Sequence, residues 1–127
     1  MFTEVEHKSL IGESNEWRHQ LADYRQKIYD LKNELYYYAP GKTDHEQLEG
    51  IEHFHNVFHI QLINIHDLKH SIKVHDFKTT ATQAGNDGKI NHTVLAEHQH
   101  LYSEYQRLQH LLEDLKDRFT QFIHKLN

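Results

Sequence analysis

Apolar residues recur along the chain in alternating steps of four and three, the spacing that gathers side chains on one side of an α-helix. The pattern stops twice, first at Pro40-Gly41 and again at the Gly-Asn-Asp-Gly stretch of residues 85–88. Alternation with a period of two, which marks a half-buried strand, does not occur. The pattern therefore predicts an all-α chain with three long helices, near residues 4–38, 43–79 and 91–126.

Each predicted helix carries one stripe of mainly apolar residues. In the first helix the stripe is Leu10, Ser14, Trp17, Leu21, Tyr24, Ile28, Leu31, Leu35 and Tyr38. In the third helix it is Val94, His98, Leu101, Tyr105, Leu108, Leu112, Leu115, Phe119, Phe122 and Leu126. In the second helix it is Leu48, Ile51, His55, Phe58, Leu62, Ile65, Lys69 and Ile72, with Phe54 and Leu68 beside it. We expect the three stripes to face a common core.

Local signals place the ends of these helices. Pro40-Gly41 ends the first helix, and Thr43 with Glu46 forms a T-x-x-E capping box that starts the second. Asn91 is a suitable N-cap for the third helix.

The two breaks are short, so consecutive helices should run antiparallel. At 1.5 Å per residue each helix would be roughly 50 Å long. The expected fold is a single domain over residues 1–127, an up-down-up bundle of three helices with coiled-coil-like packing. Gly12 leaves one alternative open, in which residues 1–12 form a separate short piece instead of the start of the first helix.

Some apolar residues lie outside the predicted stripes. Ile63, Val74 and Phe77 lie well off the stripe of the second helix, and the first helix ends in three consecutive tyrosines at 36–38. A homodimer, or another helical partner, would cover such a surface. Single exposed apolar residues are also normal on monomers, so the pattern leaves monomer and dimer open.

Composition favours an elongated shape. Apolar residues make up 37% of the chain and charged residues 26%, which is too polar for a thick core. Six Phe, seven Tyr and one Trp are nevertheless too many for a disordered chain. A thin bundle fits both facts, because it buries narrow stripes and leaves much side-chain surface exposed.

Cysteine content and charge exclude several classes of protein. The chain has no cysteine, which excludes disulfides, zinc–thiolate sites and thiol nucleophiles. Its formal net charge is −5 with neutral histidines, so nucleic acid and anionic membranes are poor partners. The first residues lack a secretory signal, and no apolar run approaches the roughly 18–20 residues of a membrane span. We therefore expect a cytoplasmic protein.

Residues 52–61, EHFHNVFHIQ, resemble the central helix of a family of small uncharacterised bacterial helical-bundle proteins. Those proteins share the pattern E-H-F-x-N-x-F-x-x-Q. The matching positions here are Glu52, His53, Phe54, Asn56, Phe58 and Gln61, with His70 and His75 as an extension. The resemblance implies a helical fold and supplies no activity, because no function is assigned to that family.

The 14 histidines are the most distinctive chemical feature, and five of them lie within residues 52–70. Four of these form two i,i+4 pairs, His55/His59 and His66/His70, and each pair could chelate one metal ion. A metal centre needs further ligands, and His98 of the third helix leans toward the groove beside His66 and His70. A divalent transition metal (zinc, iron, nickel or copper) held by these histidines is therefore one hypothesis.

A ferritin-like di-iron centre fits less well. Glu97 and His100 form an E-x-x-H that repeats the spacing of Glu52 and His55, as such centres require. Glu52, however, points far from the main stripe, and the first stripe contains no Asp or Glu. The match fails on geometry.

We favour a structural interpretation, in which most of these histidines are half-buried residues that flank the stripe. His55 and His98, at stripe positions, would then be satisfied core histidines that fix the helix register. A pH switch is a third hypothesis, since protonating all the histidines near their usual pKa of about 6.5 would move the net charge from −5 to +9.

No reaction is predicted, because the few Ser and Thr residues lie at caps, loops or helix surfaces and no glycine-rich loop is present. The leading hypothesis is a non-enzymatic helical bundle that mediates protein–protein interaction, first of all with a second copy. A metal-binding bundle and a pH-responsive interaction module are the alternatives.

Overall fold

The computed structural model describes the backbone of residues 4–85 and 92–126 and the side chains of residues 9–81 and 92–126. Three helices make up nearly all of it: α1 (Glu4–Tyr38), α2 (His45–Gly85) and α3 (His92–Leu126). No strand occurs in the described residues. Each helix packs against both others, so the predicted all-α bundle is confirmed. None of the described helices has the length and apolarity needed to cross a membrane.

The directions of the helices follow from contacts at two levels of the bundle. Glu13 of α1 lies 2.8 Å from His98 of α3, and Tyr24 of α1 lies 3.2 Å from Glu113 of α3. Both pairs have nearly the same separation in sequence, which only parallel helices allow. A short turn returns the chain between α1 and α2, so α2 runs antiparallel to both neighbours and the order is up-down-up.

The turn between α1 and α2 is set by a glycine and an acidic cap. Gly41 has a φ of +83°, a left-handed conformation that glycine adopts without strain. The Asp44 carboxylate accepts a hydrogen bond from the Gln47 amide at 3.1 Å, and α2 begins at His45. The N-cap is therefore Asp44, and the predicted capping box at Thr43 is wrong by one residue. A carboxylate cap also interacts favourably with the positive end of the helix dipole.

Other boundary predictions have mixed outcomes. The first helix continues through Gly12, where a Cβ would meet no atom within 4 Å, so residues 4–12 are part of α1. The second helix runs past residue 79 and ends at Gly85, inside the predicted loop. Residues 86–88 of that loop and the predicted cap Asn91 lie outside the described residues.

The stripes predicted for α1 and α3 form the core as expected. Every member of both is buried or half-buried, including Ser14 and His98. One residue of α3, Ile123, is buried in addition.

The stripe predicted for α2 is wrong in part. Leu48 and His55 are exposed, and Lys69 is only half-buried. The buried residues of α2 are Phe54, Phe58, Gln61, Ile65, Leu68, Ile72, His75 and Thr79. Two registers with 4-3 spacing share Phe58, Ile65 and Ile72, and the predicted one selected Leu62 where the structure buries Gln61.

The end of the bundle near the α1–α2 turn is packed with aromatic rings, which we call the aromatic end. Phe58 lies edge-on to Phe119 with ring centroids 5.0 Å apart, and Phe54 lies 5.3 Å from Phe119 and 5.0 Å from Phe122. Edge-to-face pairs of this kind add to the hydrophobic effect. A Cβ on Gly50 would overlap the ring of Phe122, so glycine permits this close approach.

Candidate functional site

Two histidines are buried side by side at the opposite end of the bundle. His75 of α2 is 3% exposed and His98 of α3 is 4% exposed, and both occupy core positions of their helices. The Nε2 atom of His75 lies 3.2 Å from the Nδ1 atom of His98, so one ring donates a hydrogen bond to the other. A buried imidazole is unusual unless its nitrogens are paired.

A carboxylate lies at each end of this histidine pair. The Nε2 atom of His98 lies 2.8 Å from Oε2 of Glu13 on α1, and the Nδ1 atom of His75 lies 3.5 Å from Oε2 of Glu97 on α3. Both glutamates are partly exposed. The four side chains, which we call the histidine chain, thus connect all three helices and reach solvent at both ends.

The donors and acceptors assign the protons along the histidine chain. A carboxylate only accepts, so Nε2 of His98 carries a proton and donates it to Glu13. In neutral His98, Nδ1 is then an acceptor, and Nε2 of His75 must donate to it. Neutral His75 is left with an unprotonated Nδ1, which has no hydrogen-bond partner among the described residues. The chain therefore has one vacant proton position, on the side of Glu97.

Burial keeps His75 neutral. Loss of hydration lowers the pKa of His75, and His98 lowers it further, while the nearby Glu97 and Asp76 carboxylates oppose the shift. Thr79 donates a hydrogen bond to the His75 backbone oxygen at 2.9 Å. The net effect is an imidazole that takes up a proton less readily than a free histidine.

A half-buried acidic residue, Asp76, lies beside the histidine chain. Burial raises the pKa of Asp76, and the Ser14 hydroxyl and the Arg18 guanidinium partly offset this shift. Nη2 of Arg18 lies 3.4 Å from Oδ2 of Asp76, which makes an ion pair between α1 and α2. On the other side, Lys78 lies 3.5 Å from Glu97. Charges of both signs therefore surround the pair of imidazole rings.

Aromatic side chains shield the histidine chain from solvent. The Trp17 ring lies 4.7 Å from the His98 ring and stacks on Tyr102 and Tyr105 at 5.5 and 5.9 Å. This wall belongs to α1 and α3. Trp17 thus covers the His98 ring on the side of α1.

The predicted metal ligands do not converge in the structure. Among the described residues, no group of three or more His, Asp or Glu side chains could hold a metal ion. Both nitrogens of His98 face His75 and Glu13, because His98 lies in the core stripe of α3. His66 and His70 lie on the outward side of α2 and are exposed.

The remaining histidines of the second helix are surface residues. His53, His55 and His59 are exposed. The expectation of half-buried flanking histidines is therefore wrong for His59, His66 and His70, and the expectation that His55 is a core histidine is wrong as well. Nδ1 of His55 lies 3.0 Å from the Tyr36 hydroxyl, where it joins α1 to α2 at the surface. The pairs His55/His59 and His66/His70 remain a predicted chelating pattern with two ligands each. His70 shares a surface groove with His100.

A second notable feature is an exposed apolar stripe on the side of α2 opposite the core. Its apolar members are between 41% and 78% exposed. The full stripe, which we call the outer stripe, is Ile60, Ile63, Asp67, His70, Val74 and Phe77. Its spacing of 3-4-3-4-3 matches that of a coiled-coil seam. The prediction that Ile63, Val74 and Phe77 lie off the core is confirmed.

The sequence contains a signal that His75 belongs to the core, but the periodicity analysis did not include His75 in the stripe of α2. His75 follows Ile72 by three residues and precedes Thr79 by four, so it continues the core spacing of α2. Polar residues at core spacing are easily taken for the end of a stripe. Nothing in the sequence marks Glu13, which reaches His98 only because α1 and α3 are parallel and in this register.

Three comparisons with known proteins bear on the identity of the chain. No protein-family model, curated protein or solved structure matches it. The resemblance of residues 52–61 to small bacterial helical proteins therefore stays a prediction. Of the shared positions, Phe54, Phe58 and Gln61 are buried in the core, which suits a structural pattern.

Proposed function

We propose that the protein is a non-enzymatic helical bundle that acts through protein–protein contact, first of all by pairing with a second copy of itself. The outer stripe of α2 carries this proposal. Single exposed apolar residues need no explanation, but four of them within six positions of regular 4-3 spacing form a continuous surface. Such a surface is what a partner helix packs against.

Sedimentation equilibrium over a wide concentration range tests the proposal. We expect a dimer that dissociates on dilution, and Phe77→Glu should shift it to monomer. The matched control is Tyr37→Glu, because Phe77 and Tyr37 are both 78% exposed but lie on different helices. A chain that remains monomeric at several hundred micromolar would contradict the proposal, as would equal effects of the two substitutions.

The proposal includes a location in the bacterial cytoplasm. A chain without cysteine suits a reducing compartment, although it does not require one. Fractionation of cells that express the untagged protein tests this part separately.

A pH-responsive role is the second candidate, and the vacant proton position on His75 supports it. A proton at Nδ1 would face Glu97 at 3.5 Å and would complete the histidine chain. Because the pKa of His75 is lowered by burial, that proton binds only below the usual range of histidine. If the chain is a switch, the dimer dissociation constant should change between about pH 7 and 5 in the wild type. The change should be smaller in a His75→Leu/His98→Leu variant, in which only the surface histidines remain to take up protons.

A further inference from the structure

The outer stripe of α2 has the same sequence of residue classes in both directions. Two apolar residues stand at each end of the stripe, Ile60 and Ile63 at one end and Val74 and Phe77 at the other. The two polar residues, Asp67 and His70, stand between them. Its spacing, 3-4-3-4-3, is also symmetric. The centre of this symmetry lies between Leu68 and Lys69. A surface with this property can pair with an identical copy that runs in the opposite direction, because in a two-fold interface each contact occurs twice.

We propose that two copies associate through an antiparallel pair of α2 helices, whose two-fold axis passes between residues 68 and 69. In this arrangement Ile63 lies opposite Val74 of the second copy, and Ile60 lies opposite Phe77 of the second copy. Asp67 lies opposite His70 of the second copy, twice in the interface. This inference rests on the self-association proposed above and adds the orientation, the register and the polar contact.

The polar pair at the centre selects this register. A neutral or protonated imidazole can donate an N–H to a carboxylate, so Asp67 and His70 of the second copy satisfy each other. None of the hydrogen bonds or ion pairs among the described residues involves Asp67 or His70, so the pairing breaks no existing contact. The complementary contact is therefore available on the surface of each copy.

Other registers leave these polar groups badly placed. A shift by one heptad in one direction puts Asp67 against Phe77 of the second copy, and a shift in the other puts it against Ile63. Covering a charge with an apolar group removes its hydration without replacement. A parallel pair in register places Asp67 against Asp67 and His70 against His70, which sets like groups against each other. Only the antiparallel register centred at 68–69 satisfies both.

Charged residues of α3 flank the proposed contact. Asp67 borders a groove that it shares with Glu104 and Arg107, and His70 borders one that it shares with Glu97 and His100. Arg107 is the one Lys or Arg side chain that lines the first groove, and Lys78 of α2 lines the second. The stripe from Ile60 to Phe77 is about 26 Å long, so the pairing spans nearly five helical turns and leaves the rest of α2 uncovered.

Introduced cysteines can report the orientation directly, because the chain contains none of its own. We would prepare Ile63→Cys and Val74→Cys as separate proteins and mix them in a glutathione redox buffer. The antiparallel register brings residue 63 of one copy next to residue 74 of the other. Two copies of residue 63 are separated by eleven positions, or roughly 16 Å along the axis, beyond the reach of a disulfide. The same holds for two copies of residue 74.

The expected result is a mixed disulfide at least tenfold more abundant than either homodisulfide, with both proteins folded by circular dichroism. Abundant cross-linking of Ile63→Cys alone would show a parallel pair and overturn the inference. A wild-type dimer without the mixed disulfide would overturn it as well, and the proposed self-association would stand. A wild type that sediments as a monomer would remove both.

An exchange of the two polar residues tests the central contact. Asp67→His alone places two imidazoles together, and His70→Asp alone places two carboxylates together. Each should raise the dimer dissociation constant at least tenfold. The double variant restores an opposed pair with the order reversed, so its dissociation constant should return to within about threefold of the wild type. Additive losses in the double variant would overturn the proposed contact.

Discussion

The aromatic end and the opposite end of the bundle, which holds the histidine chain and is called here the histidine end, follow the same 4-3 spacing. The first buries hydrocarbon rings and the second buries polar imidazoles. Phe58 and Phe119 fill one end with packed aromatic rings. At the other end His75 and His98 occupy equivalent core positions, and each ring nitrogen has to be matched by a neighbour. The difference teaches that spacing determines which positions are buried, whereas the chemistry of a buried position depends on residues of other helices.

The two ends should therefore contribute differently to stability. Burial of apolar area and ring packing stabilise the aromatic end. At the histidine end the hydrogen bonds mostly offset the loss of hydration, so its net contribution is small. Substitutions can test this contrast.

The largest effect is expected at the aromatic end. Phe58 is fully buried, and Phe58→Ala should lower the free energy of unfolding by about 3–5 kcal/mol, because it removes apolar contacts and leaves a cavity. Urea denaturation measures the change. The matched control is Phe77→Ala, which truncates an exposed phenylalanine of the same helix at low protein concentration, where no dimer forms. A similar loss in both variants would show that Phe58 does not lie in a packed core.

At the histidine end, His98→Leu alone should lower the free energy of unfolding more than the double substitution His75→Leu/His98→Leu does. His98→Leu removes the acceptor of the His75 Nε2–H and leaves a buried donor unpaired, which costs about 1–3 kcal/mol. His75→Leu/His98→Leu removes both polar rings and turns this end into a second apolar core. Its stability should return to within about 1 kcal/mol of the wild type. If the double variant loses the sum of the two single losses, the rings are not coupled.

The pH dependence of stability should separate the two ends further. The pKa of His75 is lowered in the folded chain, whereas in the unfolded chain it is near the usual value of about 6.5. Between these two values the unfolded chain binds more protons, so stability is highest above pH 6.5 and falls as the pH decreases toward the folded pKa. The loss is at most about 1.4 kcal/mol per pH unit.

Urea denaturation at several pH values measures this slope. In Phe58→Ala the slope should equal that of the wild type, because the removed side chain does not titrate. In His75→Leu/His98→Leu it should be shallower, and the exposed histidines then supply what remains. An unchanged slope in the double variant would mean that His75 does not carry the pH dependence.

The smallest effect is expected at Asp76. Burial raises the pKa of its carboxyl above the unfolded value, so at neutral pH the folded state bears the cost of an ionised buried group. As the pH falls through the raised pKa, protonation in the folded state relieves that cost. Asp76→Asn should therefore raise the melting temperature slightly at pH 7, by the equivalent of about 0.5 kcal/mol. Asp23→Asn, on the exposed surface of α1, should leave it unchanged; a clear loss in Asp76→Asn would show that the Arg18 ion pair outweighs the burial.

The same contrast separates what the sequence could predict from what it could not. The stripes of α1 and α3 were predictable because one register alone gathers their apolar residues. In α2, apolar residues lie on both sides, and two registers share Phe58, Ile65 and Ile72, so periodicity could not decide which flanking residues are buried. Because Ile63, Val74 and Phe77 lie outside either register, the outer stripe could be recognised from the sequence.

The histidine chain could not be predicted from the sequence, because it depends on the axial alignment of three helices. His98 was predictable as a core histidine from its place in the stripe of α3. Its partners were not, since Glu13 lies 85 positions away and meets it only in the parallel arrangement. The predicted meeting of His66, His70 and His98 failed because helical-wheel geometry placed His98 toward the outer groove, while Trp17 packs against its ring inside the core.

The protons assigned along the histidine chain offer a way to measure how often this end of the bundle opens locally. The Nε2 proton of His75 is enclosed and hydrogen-bonded to His98, so its replacement by deuterium requires a local opening of this end. Imidazole protons are normally lost to solvent too quickly to follow. Here the exchange rate of the His75 Nε2 proton would report how often this end opens locally. The exchange of the backbone amides around Phe58 and Phe119 would be the reference for the aromatic end.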